Sequence, residues 1–273
     1  MGITENLQST LDVWNNHLDE IWSLLSTSPK SFKGGSIWNT VVGINGSLQA
    51  IGYALLVLFF VIGLVNETTK FSEIKRPEVA FRLFMRFAIA KAVISYGMEI
   101  MVGIFDICQG VVSTIVGGLS SPAHATVPQA IVDAVSDLSI WDKIGVWAIS
   151  LIGGLVIAVM SFIMLYTIYS RFIRLYIYTA IAPLPLASFA GQVTSGTGKT
   201  FLKSYAGVCL ESAVIVLACI LFGSFVSAEP SITDGATASK MLWEYILQVT
   251  FNLFVLTASV KMANVTVKSM LGL

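Results

Sequence analysis

Charge is scarce in this sequence. Of 273 residues only 12% are Asp, Glu, Lys or Arg, 55% are hydrophobic, and the mean hydropathy is +0.80. Soluble domains carry roughly 25% charged residues. So little polar surface cannot cover a water-soluble globule of this size. Cysteine is also sparse. Cys108, Cys209 and Cys219 lie in or beside apolar runs with no CxxC spacing, so they read as small buried hydrophobes and not as zinc or redox centres. The two histidines, His17 and His124, sit far apart in polar segments. With no Ser–His–Asp arrangement and no metal-ligand cluster, no enzymatic activity, cofactor or metal is expected. A basic region ahead of an apolar core is missing at the N-terminus, so no cleavable signal peptide is expected. The short alternating segments of a porin-type barrel are missing too.

What is present is a series of long apolar runs. They predict an all-α membrane protein with five transmembrane helices, a proline-broken re-entrant segment and an N-terminal amphipathic helix. Three parts are expected: an extracytoplasmic helix over residues 1–36, a polytopic transmembrane domain over 37–262 and a cytoplasmic tail over 263–273. In the first part Leu7, Leu11, Trp14, Leu18, Ile21 and Leu25 recur in steps of three and four, which marks one helix face. Its polar face is acidic (Glu5, Asp12, Asp19, Glu20), which disfavours docking on anionic lipid.

The predicted spans are residues 37–65, 81–112, 144–170, 204–227 and 242–260. The segment 169–191 breaks the pattern, because Pro183 and Pro185 each remove a backbone donor from an apolar run too short to cross comfortably. Broken backbone at membrane depth is tolerated only inside protein or beside a watery cavity.

Orientation follows from basic residues, which stay cytoplasmic. Twelve of the sixteen Lys and Arg residues fall on one side of the five-span arrangement. They are Lys70, Lys75, Arg76, Arg82, Arg86, Lys91, Arg171, Arg174, Lys199, Lys203, Lys261 and Lys268. Lys30, Lys33, Lys143 and Lys240 fall on the other, with all six tryptophans on or near it. The expected topology is therefore N-terminus out and C-terminus in, with the broken segment entering and leaving on the cytoplasmic side.

Intramembrane charge is costly and marks a candidate site. Lys91, Glu99 and Asp106 lie within about 80° of one another on a continuous helix and so would share a face. Lys91 and Glu211 lie about two turns in from the same side and form a candidate interhelical pair. A structural ion pair, a water-lined conduit face and a proton relay all remain open for these residues. Arg171, Arg174, Lys199 and Lys203 form a candidate basic cytoplasmic mouth. It would face either nucleic-acid phosphates or, under the positive-inside rule, anionic lipid. Residues 195–200, SGTGKT, imitate a phosphate-binding loop, but Val193 replaces the glycine that spacing requires.

The stretch Leu175, Tyr176, Ile177, Tyr178, Ala180, Ile181, Ala182, Pro183, Leu184, Pro185, Leu186, following an arginine-bearing helix end, resembles the signature of TrbL-like conjugal transfer proteins. These are polytopic inner-membrane components of type IV secretion systems. Phe105, Asp106, Ile107, Gln109, Val111 and Val112 are similar to a motif of Gram-positive members. The similarity extends roughly over 81–260. It implies a scaffold or channel subunit in several copies around a path for DNA or protein, with other secretion subunits and the lipid bilayer as partners. It carries over no catalytic residue. The alternative is a small-solute or ion transporter with a broken-helix site. Such transporters usually pair their broken helices in inverted repeats, and only one broken segment is recognisable here.

Overall fold

The computed structural model describes residues 2–68, 77–117, 124–136, 140–226 and 238–273. Lys70, Lys75, Arg76, Pro122, Glu229, Pro230 and Asp234, which enter the expected loops, lie outside them. The described chain is all-helical, 92% helix with no strand. The helices are α1 (Ile3–Ser26), α2 (Ser36–Thr68), α3 (Pro77–Ser95), α4 (Gly97–Gly117), α5 (Gln129–Ser136), α6 (Ile140–Ile181), α7 (Pro183–Leu186), α8 (Ser195–Val226) and α9 (Ala238–Leu271). Five stretches are long and apolar enough to cross a bilayer: Phe32–Asn66, Gly97–Gly117, Lys143–Ile181, Ser195–Gly223 and Ser239–Leu271.

The count of five agrees with the sequence, but two boundaries move. The expected second span is interrupted at Tyr96 into α3 and α4. Helical hydrogen bonds persist across the break, Tyr96 N–H donating to Ala92 O and Ile100 N–H to Tyr96 O. The third span does not stop at Ser170. α6 runs on for 42 residues, about 63 Å at 1.5 Å per residue, which takes Arg171 and Arg174 inside the helix. Nothing in these two residues breaks helical geometry, since Arg is a good helix former. The first residue that must stop α6 is Pro183.

The chain forms two compact units. The first comprises Met1–Ser26, Val112–Ser170 and Ala213–Ala263. Here α1 lies lengthwise along α6 and parallel to it. Ile3 and Leu7 join Val146, Ile131, Val135, Leu242, Tyr245 and Ile246 in one apolar cluster. Further along, a Cβ on Gly154 would lie 2.9 Å from Thr10 Oγ1, His17 meets the Ser161 hydroxyl, and Tyr169 donates to Glu20 Oε1 at 2.9 Å. Every apolar position of the α1 heptad pattern, Leu7, Leu11, Trp14, Leu18, Ile21 and Leu25, is buried. Asn15 holds the segment before α5 by donating to Ala125 O (2.9 Å) and accepting from Ala125 N–H (3.0 Å).

The second unit comprises Thr27–Val111, Arg171–Ser212 and Asn264–Leu273. A turn with Lys33 and Gly34 in left-handed conformation (φ 47° and 73°) feeds α2. It seats Phe32 on Phe172, with the rings stacked at 4.4 Å. Tyr176 donates to Pro29 O at 2.9 Å. α2 and α3 pair through Phe60 on Phe87, edge to face at 5.0 Å, and through a Tyr53–Ser95 hydroxyl contact of 2.9 Å.

Candidate functional site

The proline break and the buried charges both belong to the second unit, and each has its own physical logic. In a continuous helix the Thr179 carbonyl would accept from the N–H of residue 183. Proline has none. The vacancy is filled from α2: Asn45, buried among apolar neighbours, donates its side-chain N–H to Thr179 O at 2.7 Å. A buried carbonyl without a donor would cost about 1–3 kcal/mol, so this single asparagine makes the break tolerable.

Several other backbone carbonyls of the break are also paired. Leu186 N–H donates to Ala182 O and Ala187 N–H to Pro183 O and Pro185 O. Ser188 Oγ donates to Pro185 O, and Thr194 Oγ1 to Ser188 O. Instead of an open loop, the segment is one α-turn followed by a 3-10 turn, Ala187–Ala190. It lies against glycines of α2. A Cβ on Gly52 would come within 2.9 Å of Pro183 O, and one on Gly63 within 3.3 Å of Gly191 Cα. Small residues permit this backbone-to-backbone approach in apolar surroundings.

The charged cluster lies between α6 and α8. Glu211, 1% exposed, receives Nη2 of Arg174 on both carboxylate oxygens at 2.8 Å. This overturns the expected Lys91–Glu211 pair. Equal depth from one membrane side was the argument for that pair, but it assumed that the arginines lay outside the membrane. Because α6 continues past Ser170, Arg174 reaches Glu211 first. Lys91 instead sits exposed on α3, while Glu99 and Asp106 are exposed on α4. The break at Tyr96 puts Lys91 on a different helix from the two acids, so their expected common face no longer follows from one helical repeat.

The expected basic mouth is likewise divided. Lys199 and Lys203 are exposed on the first turns of α8. Arg174 is partly buried, and Arg171 is completely buried. The guanidinium of Arg171 lies over the Phe172 ring, 4.9 Å from its centroid. Its Nε, Nη1 and Nη2 have no hydrogen-bond acceptor among the described residues. Cys108 of α4 and Tyr205 and Cys209 of α8 are buried in the same unit. All three cysteines are free. Residues 195–200 are helical and open α8, with Gly198 packed on Phe189, so they do not form a phosphate-binding loop.

Asn45 escaped the sequence reading. One of three amides in a charge-free span (Asn39, Asn45 and Gln49), together with a proline that strands one carbonyl, was the available signal.

These features, a spanning helix broken by prolines, braced from a neighbouring span and followed by a charged helix pair, lie in or beside a stretch with a recognisable family pattern. A family model for "TrbL/VirB6 plasmid conjugal transfer like protein" matches residues 14–183. The chain belongs to this family. The TrbL/VirB6-like match begins in α1 and ends at Pro183. It therefore takes in the N-terminal helix and first span, which the expected stretch of 81–260 left out, and stops before α8. No curated protein and no solved structure matches the chain. Membership makes it a component of a conjugal transfer or type IV secretion apparatus, associated with other components of that system. With its five apolar helices it is a multi-pass membrane protein.

Proposed function

We propose that this TrbL/VirB6-like chain is a non-enzymatic scaffold and channel subunit of a conjugative type IV secretion apparatus. Several copies surround a translocation path in the bacterial cytoplasmic membrane and make transient contact with the DNA or protein that passes. The carrying observation is the braced break. A spanning helix that only anchored the protein would gain nothing from two prolines and a buried asparagine compensating the first of them. A fixed interruption of the helix supplies irregular backbone at membrane depth, which belongs inside protein or beside a conduit. With Arg171 and Arg174 taken into α6, ten basic residues against four still support an N-out, C-in orientation.

The test is a deletion strain of the parent conjugative system complemented with the wild-type chain or with Pro183→Ala/Pro185→Ala. Transfer frequency is measured beside membrane protein level. The proline variant is expected to accumulate normally and to transfer poorly. Wild-type transfer by the deletion strain would reject the reading. Reporter fusions at Gly196 and after Leu273 should report cytoplasm, and one at His124 the outer side; an outer signal at Gly196 would reverse the orientation of the break.

A further inference from the structure

Glu211 is paired with the arginine that needs it less. Arg174 is 29% exposed and so is not enclosed by protein. Arg171 is 0% exposed, and all three of its nitrogens lack an acceptor among the described residues. An unpaired charge in low-dielectric surroundings is far more costly than a hydrated one. Yet Glu211, the buried carboxylate among the described residues, gives both oxygens to a single nitrogen of Arg174. The two arginines are three residues apart on α6, about 4.5 Å along its axis at 1.5 Å per residue, on neighbouring positions of one face. Glu211 also acts electrostatically on Arg171, so the second claimant lies within range of the same carboxylate.

We propose that Glu211 is a shared counter-ion that passes between Arg174 and Arg171, giving α6 and α8 two stable arrangements. With Glu211 on Arg174, Arg171 keeps only the face of Phe172. With Glu211 on Arg171, Arg174 is left at the surface of the helix pair. Glu211 is fixed to α8, so the hand-over displaces α8 along α6 by up to the spacing of the two arginines. Each arrangement is held by one ion pair, and the difference between them is small because the exchange breaks one pair while making another. This deepens the channel reading, on which its functional half rests: the two arrangements are two states of the spanning helices next to the proline break.

The test uses full-length protein purified from membranes and reconstituted in nanodiscs, with thermal midpoints for wild type, Arg174→Gln, Arg171→Gln and the double variant. Arg174→Gln is expected to lower the midpoint by no more than about 3 °C, because Glu211 transfers to Arg171. The double variant leaves Glu211 buried without a counter-ion and should fall by about 10 °C, well beyond the sum of the singles. Additive effects, an Arg174→Gln loss as large as that of the double variant, or an Arg174→Gln chain that fails to accumulate would each overturn the exchange. Transfer supplies the second readout. Arg171→Gln fixes one arrangement and should accumulate while transferring at least tenfold less, with Arg171→Lys partly restoring it; full transfer by Arg171→Gln would remove the exchange from the mechanism. If the deletion strain itself transfers normally, the channel reading falls while the exchange still stands or falls on the midpoints.

Discussion

The two compact units are stabilised in different ways. The first is built on repetition: α1 presents an apolar face in steps of three and four, and that face is covered along its length. Its polar contacts are pairings of α1 side chains with the segment before α5, such as part-buried Asn15 with Ala125 and exposed Asp19 with His124 at 3.0 Å. The second unit is built on exceptions. It holds a helix broken by prolines, a carbonyl served by the side chain of another helix, glycines pressed against backbone, and three charged groups for one ion pair. Regular apolar packing tolerates small changes gradually. A set of buried polar substitutions for missing backbone bonds does not, because each member has one possible replacement or none. The difference teaches where to look for function: costly irregularity, compensated at the Thr179 carbonyl and uncompensated at Arg171, is concentrated in the second unit.

The comparison can be broken by substitution. The largest effect is expected for Glu211→Gln, which leaves two guanidinium groups without a carboxylate. Breaking a buried pair costs about 3–5 kcal/mol, and thermal or denaturant unfolding in detergent should show a loss of that size. A loss below about 1 kcal/mol, the surface-pair range, would mean that the cluster is hydrated.

In the first unit, Leu11→Ala removes a fully buried side chain and should cost about 2–5 kcal/mol. Val13→Ala, on the exposed face of the same helix, should lie within about 0.5 kcal/mol of wild type. Equal losses at the two positions would show that α1 does not pack as described.

A sharper contrast comes from Asn45. Asn45→Leu should cost about 1–3 kcal/mol by orphaning the Thr179 carbonyl. Adding Pro183→Ala returns an N–H at position 183 and should recover most of that loss. A double variant no better than Asn45→Leu alone would show that the asparagine does not stand in for the proline's missing donor. The glycines give a steric contrast. Gly52→Ala should cost about 1–3 kcal/mol, because the added Cβ meets the Pro183 backbone oxygen at 2.9 Å. Gly43→Ala, which meets nothing within 4 Å, should be neutral in unfolding assays. Equal behaviour of the two would place α2 elsewhere.

Much of this architecture is legible in the sequence because apolar periodicity and run length are strong signals. The α1 face was readable residue by residue, and the five spans were countable from their length. The ends of the spans were harder, because charge was taken to mark the membrane edge. Arg171 and Arg174 violate that rule: a helix can carry guanidinium groups inward when a carboxylate waits on its neighbour. For the same reason Glu211 was matched by depth with Lys91, although the i, i+3 spacing of the arginines already placed both on one face. Asn45 could not be assigned from periodicity, because its partner is a carbonyl 134 positions away. Only the missing proline N–H hints that such a donor is required.

The central claim is that the second unit carries function and the first carries integrity. The most direct measurement is transfer frequency divided by membrane protein level, in the deletion strain, for Pro183→Ala/Pro185→Ala beside Leu11→Ala. The account predicts that the proline variant keeps its level and loses transfer, while Leu11→Ala loses level and transfer in proportion. Transfer that follows protein level for both variants would contradict it.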